Sequence, residues 1–173
     1  MKRLFFALWP DDATRQKIIE FDDQLTDPRL KKVRTKNLHV TLVFLGNIES
    51  EQEENIIKAS NDIFVPAINM QFDQLTFWQQ KRGILSLTSS DQPQRLIDLV
   101  KQLQDVVLEQ GVELENRPYT AHITLARNLK SQPELDVNPP IQWHSESFVL
   151  VHSVSTDHGV DYQVINRWLL MTK

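Results

Sequence analysis

Residues 37–46, NLHVTLVFLG, contain the phrase His39-Val40-Thr41-Leu42, and residues 120–128, TAHITLARN, repeat it as His122-Ile123-Thr124-Leu125. Two of the chain's five histidines are used this way. Side chains alternate across a strand, so the His and Thr of each copy share one face. Val40, Leu42, Ile123 and Leu125 point to the other face, toward a core. A strand packed on that apolar face presents an imidazole beside a hydroxyl. Two such strands, one in each half, predict a weak internal duplication with two lobes facing each other across a cleft.

The rest of the chain supplies matching parts. The run RLFFALW (3–9) reads as a buried first strand, and Pro10-Asp11-Asp12 starts a helix carrying Ile18, Phe21 and Leu25 and ending before Pro28. The first motif strand is expected at 36–45, closed by Gly46-Asn47. Ser50 and Glu53 form a capping-box pattern for a second helix with Ile56, Ala59 and Ile63. Strands at 67–78 and 83–88 flank the turn QQKRG. Pro93 opens a third helix with Leu96, Leu99, Val100, Leu103, Val106 and Val107 on one face, and Gly111 at its C-terminal cap. Strands then follow at about 112–116 and 119–127, and at about 146–155 and 161–170 around TDHG. About eight strands and three helices in this order predict an α+β fold. Mostly antiparallel sheets line a central cleft, with helices on the outer faces, in one two-lobed unit over 1–173.

Bulk properties narrow the function. With 40% hydrophobic residues and four Trp, the 173 residues suffice for a packed core. A net charge of −4 argues against coating nucleic acid by bulk positive charge, though not against a local basic patch. The absence of cysteine removes disulfides, thiolate catalysis and cysteine-ligated zinc, and fits a reducing cytosol. The apolar N-terminal run is too short for a signal peptide or a membrane span, so a cytoplasmic location is expected.

Two imidazoles and two hydroxyls around one pocket suit chemistry at a phosphodiester. Histidine titrates near pH 6.5, so one of the pair can act as base and the other as acid. The threonine hydroxyls can donate to non-bridging phosphate oxygens. No HxH, HxxxH or His–carboxylate cluster suggests a metal. A lone H-x-T on a strand is usually explained by the β-propensity of its residues; two copies, each opening an apolar strand after a polar loop, are harder to dismiss.

The paired motifs resemble those of the 2H phosphoesterase superfamily. Together with RLFFALWP, RPYTAHITLAR and the closing RWLL, they are similar to its bacterial RNA 2′,3′-cyclic phosphodiesterase branch, the LigT- or ThpR-like 2′–5′ RNA ligase family. The similarity runs from the first strand to the last. It implies metal-independent, cofactor-free hydrolysis of RNA 2′,3′-cyclic phosphate ends to 2′-phosphomonoesters by a monomer. It implies His39 as proton donor, His122 as proton acceptor, and Thr41 and Thr124 as phosphate-binding residues. Some members also run the reverse reaction, joining RNA ends through a 2′–5′ linkage.

Other residues are candidates beside blander readings. Arg127 matches an arginine common in the family, but a regular strand would turn it away from the His122 face. It needs a strand end or a bulge to hold phosphate, and otherwise makes a surface ion pair. The run Arg29, Lys31, Lys32, Arg34 and Lys36 either guides an RNA backbone or is a solvated loop. Arg117 lines the cleft or pairs with a carboxylate. Phe44 and Trp78 stack on a base or pack in the core. His144, His152 and His158 lack the motif, with His152 expected to pack beside Phe148 and Leu150. Two rival functions remain: a non-catalytic RNA- or nucleotide-binding module on the same fold, and a zinc hydrolase using the histidines as ligands.

Overall fold

The structure is a computed structural model describing residues 1–79 and 83–171. Most of the expected QQKRG turn (residues 80–82) lies outside the described residues. Strand β1 (Lys2–Leu8) is central to a four-stranded antiparallel sheet with β3 (Val40–Ile48) on one side and β9 (Ser147–Thr156) then β10 (Gly159–Leu169) on the other. A second four-stranded sheet runs β2 (Lys31–Lys32), β7 (His122–Arg127), β6 (Ile84–Thr88), β5 (Gln74–Trp78). Strands β4 (Ile68–Phe72) and β8 (Ile141–Ser145) form an antiparallel pair. The fold is α+β with antiparallel sheets, as the motif pattern requires.

The apolar run of β1 is continuous because both its faces are covered. Leu4, Phe6 and Leu8 enter the main core, while Phe5 and Ala7 pack with Val149 and Val151 on the opposite face, beside Trp9 and Tyr162. Helix α1 (Asp12–Asp22) starts where Asp11 Oδ1 accepts the Thr14 N–H at 2.7 Å, a cap contributing about 1 kcal/mol. It buries Ile18 and Phe21. Helix α2 (Ser50–Ala59) buries Ile56, and α3 (Gln94–Glu109) buries Leu96, Leu99, Val100, Leu103 and Val107. No helix among the described residues is long and apolar enough to cross a membrane.

The internal repeat extends beyond the motif residues to the backbone. Thr41 pairs with Ala7 and Val43 with Phe6, leaving Leu42 as an extra residue in β3. In the second sheet Thr124 pairs with Ser86 and Ala126 with Leu85, leaving Leu125 extra in β7. Each copy of His-x-Thr-Leu therefore carries a β-bulge at its leucine. A bulge reverses the in–out alternation downstream and re-aims the side chains that follow.

Several expected boundaries move. The first motif strand begins at Val40, after a short helical turn over Thr35–Asn37, because the Leu38 N–H is already used by the Thr35 carbonyl. The 67–78 segment divides at Asp73 into β4 and β5, which belong to different sheets. No strand forms at 112–116; α3 is instead followed by an irregular link to β7. The second helix is capped one residue earlier: the Glu49 N–H donates to Gln52 at 3.3 Å, while Glu53 bonds Lys2 Nζ at 2.7 Å.

Gly83 opens the approach to β6 with φ +63°, and its carbonyl accepts the Leu129 N–H at 3.0 Å. A Cβ there would stand 1.8 Å from the Leu129 carbonyl oxygen, whereas one at Gly111 (φ +73°) would meet nothing within 4 Å. Gly83→Ala should therefore cost about 2 kcal/mol or more, from strain plus backbone collision, and Gly111→Ala only about 1 kcal/mol from strain. Denaturant melts of the two variants check this, and equal losses would contradict the packing at Gly83.

Candidate active site

Strands β3 and β7 approach each other and form opposite walls of a cleft of about 520 Å³. Thr41 and Phe44 line it from β3, Trp78 from β5, and His122, Thr124 and Arg127 from β7. His39 immediately precedes β3 and joins the site through Thr41: its Nε2 lies 2.9 Å from the Thr41 hydroxyl.

Both histidines are held in the same way. His39 Nδ1 lies 2.6 Å from the Asn37 carbonyl oxygen, and His122 Nδ1 lies 2.9 Å from that of Thr120. Each partner is a main-chain carbonyl two residues earlier, which can only accept. Nδ1 therefore carries the proton, and Nε2 is the variable nitrogen in both rings. In neutral His39, Nε2 then accepts the Thr41 O–H.

The surroundings of His39 are apolar. Trp9 lies nearly parallel to its ring at 17° and 5.7 Å, Phe5 is 5.0 Å away, and Tyr162 stands edge-on at 5.2 Å. Arg15 lies over the far ring system of this stack, its Cζ 5.7 Å from Trp9. Its guanidinium donates to the Thr35 carbonyl at 2.6 Å and that of Leu38 at 3.3 Å, fixing the turn that leads to His39. Burial disfavours imidazolium most, and the charges of His122 and Arg15 oppose it further. Against these, the bond to Asn37 favours it, and the His39 pKa still falls to about 4.

Arg127 reaches the cleft by the bulge that the sequence made a condition of its role. With Leu125 extra, Leu125 and Ala126 are both buried, and Arg127 returns to the face of Thr124. Arg117 lines the same cleft and pairs with Glu115 at 3.2 Å. The basic run is bonded to the chain's own groups. Arg29 pairs with Asp27, Lys32 with Asp22 at 3.0 Å, Lys36 with Asp161, and Arg34 donates to the His158 carbonyl. Lys31 and Lys32 form β2 against Arg127 and Ala126. Lys36, Arg34 and Asn37, whose Nδ2 donates to the Val160 carbonyl at 3.0 Å, clamp the β9–β10 hairpin that carries Tyr162. His144 bonds Asn69 on the exposed face of the β4–β8 pair and does not line this cleft.

Sequence reasoning missed Trp9, Arg15, Asn37, Tyr162 and a bridge between the two motif segments. In that bridge the hydroxyl of half-buried Tyr119 donates to the Thr41 carbonyl at 3.1 Å, tying the loop before the second motif to the strand of the first. Only the proximity of Tyr119 and Asn37 to the motifs in sequence could have flagged them.

Comparison with known proteins agrees with this architecture. Residues 8–85 match the family model described as LigT like Phosphoesterase. An RNA 2′,3′-cyclic phosphodiesterase of Escherichia coli K12 is 29% identical over 98% of this chain and 97% of its own. One from Methanocaldococcus jannaschii is 22% identical over 96% and 99%. The crystal structure of E. coli LigT complexed with 3′-AMP superposes with a TM-score of 0.92 at 27% identity, covering 99% of both chains. The α+β fold with its antiparallel sheets is thus shared with the LigT structure. Over residues 8–85 the chain resembles the LigT-like phosphoesterases, and over nearly its full length it is similar to RNA 2′,3′-cyclic phosphodiesterases.

The depressed His39 pKa has a consequence for stability. Between about pH 6.5 and 4 the unfolded chain takes up a proton at residue 39 that the folded chain refuses. Stability is therefore full above about 6.5 and declines as pH falls toward 4. His39→Asn removes this contribution. Denaturation midpoints at pH 7.5 and 4.5 should fall further for the wild type than for the variant, and equal falls would contradict the assignment.

Proposed function

We propose that this chain is an RNA 2′,3′-cyclic phosphodiesterase that opens the cyclic phosphate to a 2′-phosphomonoester without a metal or cofactor. The observation that carries the reading is the repeated unit itself. Two histidines have Nδ1 locked to carbonyls, each two residues from a threonine; His122, both threonines and an arginine line one cleft, and His39 adjoins it through the Thr41 hydroxyl.

The step follows from that arrangement. Neutral His122 accepts a proton from water through Nε2 as the water oxygen attacks phosphorus. The P–O3′ bond breaks, and imidazolium His39 gives its Nε2 proton to the departing O3′ oxygen. Thr41 and Thr124 donate to the non-bridging oxygens, and Arg127 neutralises their charge by a two-pronged contact. The low pKa of His39 fits a donor charged only in the complex. Its burial keeps it neutral in the free protein, and an entering phosphate anion supplies the opposite charge that raises its proton affinity. Run in reverse with a ribose hydroxyl in place of water, the same groups would join RNA ends by a 2′–5′ bond. The reading carries with it a monomeric, cytoplasmic enzyme acting on RNA ends.

Turnover of a nucleoside 2′,3′-cyclic phosphate in excess EDTA tests the reading. The wild type should yield the 2′-monophosphate alone. His39→Ala and His122→Ala should each lose roughly 10²–10⁴-fold while remaining folded. Thr41→Val and Thr124→Val should lose about tenfold or more with little change in stability. Binding without turnover would identify a nucleotide-binding module instead, and loss of activity on chelation would identify a metal hydrolase.

A further inference from the structure

We infer that Ser86 is a positioning residue for the second motif: its hydroxyl donates to the Thr124 oxygen and so turns the Thr124 O–H toward the bound phosphate. The role given to Thr124 rests on the phosphodiesterase reading above. Ser86 lies in β6 directly opposite Thr124 of β7, so the two side chains share one face of the sheet. Residues opposed in this way hold their Cβ atoms about 4.5–5.5 Å apart, within reach of a bond between hydroxyls. Thr124 lines the cleft, and Ser86 is wholly buried. Its hydroxyl is an orphan. The Oγ has no hydrogen-bond partner among the described residues, whereas the buried hydroxyls of Ser60 and Ser145 donate to main-chain carbonyls at 2.7 and 3.0 Å. An unbonded buried hydroxyl is costly, so the Ser86 O–H is open to a partner that presents an acceptor.

The equivalent place in the first motif is filled differently. Thr41 is opposed by Ala7, which has no polar side-chain atom, and its hydroxyl is oriented by His39 Nε2 at 2.9 Å instead. At Thr124 the serine supplies the orienting group that the histidine supplies at Thr41. A hydroxyl has one proton to donate and two lone pairs to accept with. When Ser86 donates to one lone pair of Thr124, the Thr124 proton is directed away from Ser86, to a non-bridging phosphate oxygen. Two hydroxyl bonds in series also polarise each other. Ser86 faces Thr76 of β5 on its other side, but Thr76 Oγ1 is held by Thr88 Oγ1 at 2.6 Å. Thr124 is the opposed hydroxyl that meets the cleft.

A double-mutant cycle on turnover of adenosine 2′,3′-cyclic phosphate tests the link. Ser86→Ala deletes only the hydroxyl and should lower kcat/KM about fivefold, the worth of one neutral hydrogen bond. Its denaturation midpoint without ligand should not fall, because no bond of the free fold is lost. In the Thr124→Val background, Ser86→Ala should cost nothing further. An equal loss in both backgrounds, an unchanged rate in the first, or a lowered midpoint would overturn the inference. The same cycle is read by calorimetry of inorganic phosphate binding, which needs no turnover, so the two readings fail separately. A wild type that turns over no cyclic phosphate sinks the phosphodiesterase. Phosphate binding weakened by Ser86→Ala only where Thr124 is present would leave the positioning role standing, and equal weakening in both backgrounds would remove it.

Discussion

Everything in the cleft depends on one contact made twice, the bond from a histidine Nδ1–H to the main-chain carbonyl two residues before it. The contact is local, so it forms whenever the chain turns correctly just ahead of each motif strand. It fixes the ring orientation and the tautomer together, and in each ring it leaves Nε2 as the variable nitrogen. For His39 this turn is itself braced by Arg15, which bonds the Thr35 and Leu38 carbonyls. Asn37 uses its carbonyl for the imidazole and its side chain for the β9–β10 hairpin. A single residue thus links the histidine to the strand pair that carries Tyr162.

The two half-sites share a backbone but not an environment. His39 is enclosed by Phe5, Trp9 and Tyr162, and His122 lines the open cleft edge-on to Trp78. Identical residues held by the same kind of bond thus sit in different surroundings, and burial lowers the proton affinity of His39. The bulges add to the difference: one duplicated distortion carries Phe44 on one side and Arg127 on the other.

Much of this was legible in the sequence because strand periodicity and a repeated phrase are local signals. The α+β class, the three helices and their apolar faces, the cleft and its pairing of Thr41 with His122 and Thr124 all follow from alternation, caps and the two H-x-T copies. The bulges were not legible, because nothing in Leu42 or Leu125 distinguishes a residue that pairs from one that does not. Arg127 was accordingly left between two faces until the register decided it. The basic run was equally undecided, since its partners Asp22 and Asp161 lie in other elements. Trp9, Arg15 and Tyr162 carry no periodic signal of a site; only tertiary packing brings them to His39.

The most direct test of this account is nitrogen NMR of the histidine side chains in protein labelled with ¹⁵N, at pH 7, with and without saturating inorganic phosphate. The account predicts that free His39 is neutral with its proton on Nδ1 and Nε2 bare. Phosphate should then bring a second proton to Nε2 while Nδ1 stays bonded, and His122 should keep its proton on Nδ1. A His39 that carries its only proton on Nε2 in the free protein, or that stays neutral with phosphate bound, would contradict it.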